Sequence, residues 1–190
     1  TGTTVNEASS GNVLTTAMLP DVGNANDKPS PAVKQARTIL DATGVQGGLI
    51  VHLGCGDGRL TAALWANDSY LVHGLDASVA NVENTRKHIR SQGLYGPVSI
   101  DRLHGKRLPY IDNLVNLMVA DDLRAISMDE VMRALCPNGV AYVKQKGQWT
   151  KTVKPWPDEL DEWTHWLHGP DGNPVARDNV VGPPRQLQWV

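Results

Sequence analysis

Three glycines at every second position, Gly54, Gly56 and Gly58, interrupt the stretch VHLGCGDGRL between an apolar run and a segment of helical character. Glycine so spaced lets a loop approach a ligand closely and adopt positive φ at little steric cost. The dinucleotide fingerprint G-x-G-x-x-G would need glycine where this chain has Arg59. A Walker-type phosphate cradle would need Gly-Lys followed by Ser or Thr, and the chain has none. Asp76 closes a second apolar run, YLVHGLD, 22 residues after Gly54. A carboxylate there can accept from both hydroxyls of a nucleoside ribose, or brace the start of the next helix. Asp121 and Asp122 follow a further apolar run, where they could meet a substrate or cap the next helix. Cys55 lies inside the glycine loop at a helix start, which lowers a thiol pKa, but no base stands beside it in sequence. It reads as a small loop residue. Asp161, His165 and His168 have helical spacing but lack a further strong ligand, so no metal is expected.

Positioning these groups requires strands that end at the glycine loop, at Asp76 and at Asp121. The sequence supplies them. GLIVHL, YLVHGLD, VSIDRL, LVNLMVAD and GVAYVKQ read as strands, and GRLTAALWAN, SVANVENTRKHIRSQG and SMDEVMRAL as the helices between them. Before the first strand, SPAVKQARTILDATG reads as a helix with Ser30 as N-cap, Pro31 in its first turn and Gly44 at its close. Apolar strands alternating with helices predict an α/β fold with a doubly wound, mainly parallel sheet. In such sheets ligands bind at the carboxyl ends of the strands, near the topological switch point. Cys55 and Cys136 then fall at opposite ends of the sheet, too far apart for a disulfide.

Three segments follow from composition. Residues 1–30, rich in Thr, Asn, Gly, Ser and Pro, read as a loosely ordered arm; 31–146 form the α/β domain; 147–190 are a Trp-rich extension. The extension holds five of the six tryptophans, and Trp156, Leu160, Trp163 and Leu167 follow helical spacing. That stripe is expected to dock on the sheet domain. The formal net charge is −2 with Lys and Arg scattered, so no nucleic-acid stripe or polybasic membrane anchor is expected. The longest apolar runs fall well short of the roughly 20 residues a membrane span requires.

Residues 31–146 resemble the class I S-adenosylmethionine-dependent methyltransferases. The resemblance rests on VHLGCGDGRL, VHGLDAS, RLPYIDNLVNLMVADD and EVMRALCPNGVAYV, four blocks in the family's order. It implies a Rossmann-like sheet with S-adenosylmethionine across the strand ends. The methionine part would lie against Gly54, Cys55, Gly56, Asp57 and Gly58, and Asp121 would also contact the cofactor. The ribose would lie on Asp76, and the adenine between Ala77 and the turn at His104 and Gly105. His104 is also a weak candidate base, as are Asp121 and Asp122. A small-molecule methyl acceptor is implied. Where the family usually carries acidic residues, this chain has His52, His104 and Asn116. These replacements open a second reading, a module that keeps the fold for binding or assembly. The tail resembles the segment joining such a domain to a pyrroloquinoline-quinone-type β-propeller in larger bacterial proteins. A propeller neighbour and an exported setting would then be expected, against a cytoplasmic one for an active enzyme.

Overall fold

The computed structural model describes residues 29–159 together with Trp166, Pro170, Gly172 and Val175. The first helix, α1 (Pro31–Thr43), starts where Ser30 Oγ accepts the Val33 N–H at 3.4 Å. It ends at Gly44, whose φ of 73° turns the chain into the sheet. There follow β1 (Gly48–Leu53), α2 (Arg59–Leu64), β2 (Tyr70–Asp76), α3 (Val79–Ser91), β3 (Val98–Arg102), β4 (Val115–Ala120), α4 (Met128–Ala134), β5 (Leu135–Gln145) and β6 (Gln148–Val153). The strands lie in the order β3-β2-β1-β4-β5-β6. The first five are parallel and β6 is antiparallel to β5. This is the doubly wound sheet expected, with its switch point between β1 and β4.

Side chains alternate across the central strands, so both faces are buried. Ile50, Val72, Val98, Leu117 and Val119 pack with Ile39 of α1, Leu64 of α2 and Ile89 of α3. On the other face Val51, Leu53, Leu75, Met118 and Ala141 pack with Val131 of α4. Burying each large aliphatic side chain contributes roughly 1.5–3 kcal/mol, which makes β1 and β4 the rigid platform under the glycine loop.

Three features differ from the sequence expectation. Helix α2 stops at Leu64, short of the Ala66–Asn67 pair included above, because Trp65 leaves the helix and is buried in the core. Strand β5 begins at Leu135 rather than at Gly139. A Cβ at Gly139 would lie 2.8 Å from the Cys136 carbonyl and 2.9 Å from that of Val115, so glycine is what lets β5 pass β4 here. The third is β6. Lys146 and Gly147, both at positive φ (50° and 84°), make a two-residue hairpin turn that returns the chain along β5. Trp149 stacks on Tyr142 with ring centroids 4.9 Å apart. The sheet thus continues past residue 146, and Trp149 belongs to it. Trp156 is 41% exposed and Asp158–Glu159 form a turn. Leu160, Trp163 and Leu167 of the apolar stripe lie outside the described residues, as do Asp161, His165, His168 and residues 1–28.

The β3–β4 connection, residues 103–114, crosses the sheet without a helix and is fastened to α4. Glu130 accepts the Leu108 N–H at 2.7 Å and pairs with Arg133, which donates to the Tyr110 carbonyl at 2.9 Å and to Asp112 at 2.6 Å. Among the described residues no helix is long and apolar enough to cross a membrane.

Candidate functional site at the carboxyl ends of the strands

Strand β1 delivers the glycine loop against the end of β2, where the Gly54 N–H donates to the Leu75 carbonyl at 2.7 Å. Gly54, Gly56 and Gly58 have φ of 77°, 55° and 83°. Their roles divide. A Cβ on Gly54 would meet nothing within 4 Å, so the loop is open above that residue. A Cβ on Gly58 would lie 2.6 Å from Thr85 Cγ2, so glycine there permits α2 to approach α3. Thr85 Oγ1 donates to the Gly56 carbonyl at 2.9 Å and ties the loop down. Asp57 is exposed, accepts the Arg59 N–H at 3.0 Å and faces the Arg59 side chain in solvent. Cys55 is buried, and burial pushes its thiol up against the opposing pull of the Thr85 hydrogen bond. It is not poised as a nucleophile.

Asp76 is 1% exposed and accepts three hydrogen bonds. Its Oδ1 accepts the Ser78 N–H at 2.9 Å. Its Oδ2 accepts the Asn81 amide at 3.0 Å and the Gly56 N–H at 3.3 Å. Arg124 Nη1 stands 3.9 Å from Oδ1. Burial alone would raise this carboxyl, but the hydrogen bonds from Ser78, Asn81 and Gly56, with the Arg124 charge, hold it below the usual carboxylate range. Asp76 is therefore an anion that braces both the glycine loop and the entry to α3. The N-cap of that helix is Ser78, not Asp76.

His52 points from β1 toward α2, where its Nδ1 lies 2.8 Å from Thr61 Oγ1. Burial drives its pKa down to about 4, against the opposing pull of Asp121 and Asp76, so the ring is neutral at pH 7. Asp121 is exposed just past β4. Asp122 Oδ1 accepts the Arg124 N–H at 2.8 Å, closing a tight turn. Neither aspartate caps α4; Ser127 does, accepting the Glu130 N–H at 3.2 Å. Ala77 is exposed after β2, and its carbonyl accepts from Arg102 Nε at 3.4 Å. His104 and Gly105 are exposed in the turn after β3, on the same edge of the sheet.

The structure thus gathers His52, residues 54–58, Asp76, Ala77, His104, Gly105 and Asp121 along one edge. Asn116 is elsewhere. It sits at the start of β4, where its Oδ1 accepts the Leu49 N–H at 2.9 Å and its amide lies 3.4 Å from Cys136 Sγ. Its missing charge has no bearing on the glycine-loop edge. Sequence reasoning missed Arg124, Thr61, Asn81 and Thr85. Only Asn81, five positions past Asp76 at the start of the next helix, stood near a recognised signal. Among the described residues, no group of three or more His, Cys, Asp or Glu side chains could hold a metal ion.

Residues 50–147, more than half of the 190, match the family model described as a methyltransferase domain. The chain belongs to that family. Similar solved structures include a protein of Methanococcus maripaludis assigned as an S-adenosyl-L-methionine-dependent methyltransferase (24% identity, TM-score 0.53, 59% of this chain and 53% of that one). A second is the 4+2 cyclase SpnF (24%, 0.53, 58% and 43%). A third is the geranyl diphosphate C-methyltransferase of Streptomyces coelicolor, in complex with Mg2+, geranyl diphosphate and S-adenosyl-L-homocysteine (19%, 0.53, 58% and 44%). The chain spans about half the length of these proteins. At such identities the likeness establishes the fold, and the cyclase among them means that the fold alone does not dictate the reaction. No curated protein matches the chain.

Proposed function

We propose that the chain is the cofactor-binding domain of an S-adenosylmethionine-dependent methyltransferase with a small-molecule acceptor. One observation carries this reading: the anionic Asp76 lies at the end of β2 against a glycine loop that is open above Gly54, at the switch point of the sheet. The donor set fits a nucleoside, because Oδ1 of Asp76 keeps one acceptor direction beyond the Ser78 N–H. In this reading residues 54–58 hold the methionine part with Asp121 alongside. Asp76 holds the ribose, and Ala77, His104 and Gly105 border the adenine. The bound cofactor would supply an electrophilic methyl group. The protein's part is then chiefly proximity and alignment, because displacement at a sulfonium needs a base only when the acceptor must lose a proton. Asp121, Asp122 and His104, all exposed on this edge, are the groups available for that proton. Neutral His52 can offer a hydrogen bond to the methionine part but no charge.

A second reading, a non-catalytic module for binding or assembly beside a propeller domain, draws on two observations. His52 is uncharged where the resemblance implies an acid, and three internal donors already occupy Asp76. Calorimetric titration with S-adenosylmethionine and S-adenosylhomocysteine separates the two. A micromolar constant, about −8 kcal/mol, supports the methyltransferase reading. No heat at millimolar ligand leaves the module.

A further inference from the structure

Asp76 has little capacity left. Oδ2 spends both lone pairs on Gly56 and Asn81, and Oδ1 spends one on Ser78. The remaining direction belongs to the oxygen that Arg124 approaches to 3.9 Å, an ion-pair distance longer than a hydrogen bond. The Arg124 side chain is 54% exposed and the carboxylate 1%, so this cation is a solvated group beside a buried anion. The backbone sets it there. Arg124 has φ 53°, uncommon outside glycine, asparagine and aspartate, and its N–H is held by Asp122 Oδ1. The turn after β4 therefore sends a guanidinium across the end of β1 to the end of β2.

We propose that Arg124 is an internal competitor of the ligand: its guanidinium stands beside the Asp76 oxygen that keeps a free acceptor direction, and it must withdraw before a ribose hydroxyl can bind there. The inference rests on the nucleoside reading of the site and adds a residue that sets affinity by opposing it. The pair joins a buried carboxylate to a half-exposed guanidinium beyond hydrogen-bond distance, so the competition is modest, and salt weakens it through the solvated arginine.

The test is calorimetric titration of S-adenosylhomocysteine into the whole chain. This probe lacks the sulfonium charge, so loss of a cation does not favour it trivially. Asparagine tolerates left-handed backbone, which makes Arg124→Asn the primary variant. It should bind about two- to five-fold more tightly than the parent chain, with Arg124→Lys between them. The parent should bind more tightly as KCl rises, and Arg124→Asn should not. This salt response remains a test if the variant misfolds. Weaker or unchanged binding by a folded Arg124→Asn overturns the competitor role and leaves the site reading standing. No binding by the parent or either variant overturns both.

Discussion

The two ends of this sheet handle polar groups in opposite ways. At the amino end Asn116 bridges β1 to the sulfur of Cys136, and Lys154 reaches Asn113 and the Leu135 carbonyl. Beside it Arg133 is locked between Glu130 and Asp112. Every one of these groups is spent on holding chain to chain. At the carboxyl end Asp76 also holds the loop and α3, but one acceptor direction faces only an exposed arginine. His52 is buried and neutral despite the opposing pull of Asp121 and Asp76. The first end is built to be complete, the second to be completed. The difference separates residues that secure the fold from those that could meet a ligand, although both sets are polar and partly buried.

Four experiments would break or sharpen that contrast. The largest effect is expected from His52. The unfolded chain takes up a proton near pH 6.5 that the folded chain refuses until about pH 4, so stability should fall by about 3 kcal/mol across that window. Urea titrations at successive pH values should show this fall, and His52→Gln should remove most of it, the remainder belonging to His73, whose pKa burial also lowers. A flat profile for the parent would mean that the ring is solvated.

Asp76→Ala comes next. It leaves the Gly56 and Ser78 N–H groups and the Asn81 amide without their acceptor, costing about 1–3 kcal/mol of stability, and should weaken S-adenosylhomocysteine by roughly 1.5–3 kcal/mol. Denaturant and binding titrations on the same protein would measure both. Unchanged affinity would place the ribose elsewhere.

Asn116→Ala is its counterpart at the completed end. Losing the acceptor for the Leu49 N–H should cost about 1–2 kcal/mol of stability while ligand affinity stays level. A matching loss of affinity would contradict the separation of the two ends.

The smallest effect concerns Glu130, whose pKa is lowered to about 2, chiefly by hydrogen bonds from Arg133. A depressed carboxyl pKa contributes stability above the unfolded value of 4.5 and loses it as pH falls toward 2. Glu130→Gln should flatten that acid limb, most of which lies below the His52 window.

The fold was legible because its signals are local. Ser30 sits where a helix cap must be, Gly44 where a helix must stop, and the apolar runs of β1, β2 and β4 have no other use than a buried parallel sheet; the caps of α3 and α4 are Ser78 and Ser127, where the sequence pointed to Asp76 and to Asp121 or Asp122. Strand β6 was not, because QWTKTV is half exposed and adjoins a Trp-rich stretch that draws the eye to a different element. The site was legible as far as chain order runs. Gly54–Gly58 and Asp76 carry a recognisable spacing, and the fold brings them together. What spacing could not show was occupancy: that Asp76 is already bonded three times, that Arg124 reaches it from 48 residues away, and that Asn116 faces the wrong end. Those depend on side-chain directions set by tertiary packing.

We propose that this chain takes an adenosyl ligand at the carboxyl edge of the sheet. Amide chemical-shift mapping during titration with S-adenosylhomocysteine tests it most directly. Binding there should give saturable shifts at Gly54, Gly56, Gly58, Ala77, Ser78, Gly105 and Arg124, with Leu49, Asn116 and Cys136 unmoved. Shifts confined to the amino end, or to the groove that Ser30, Val33, Arg59 and His88 line between the helices, would contradict it.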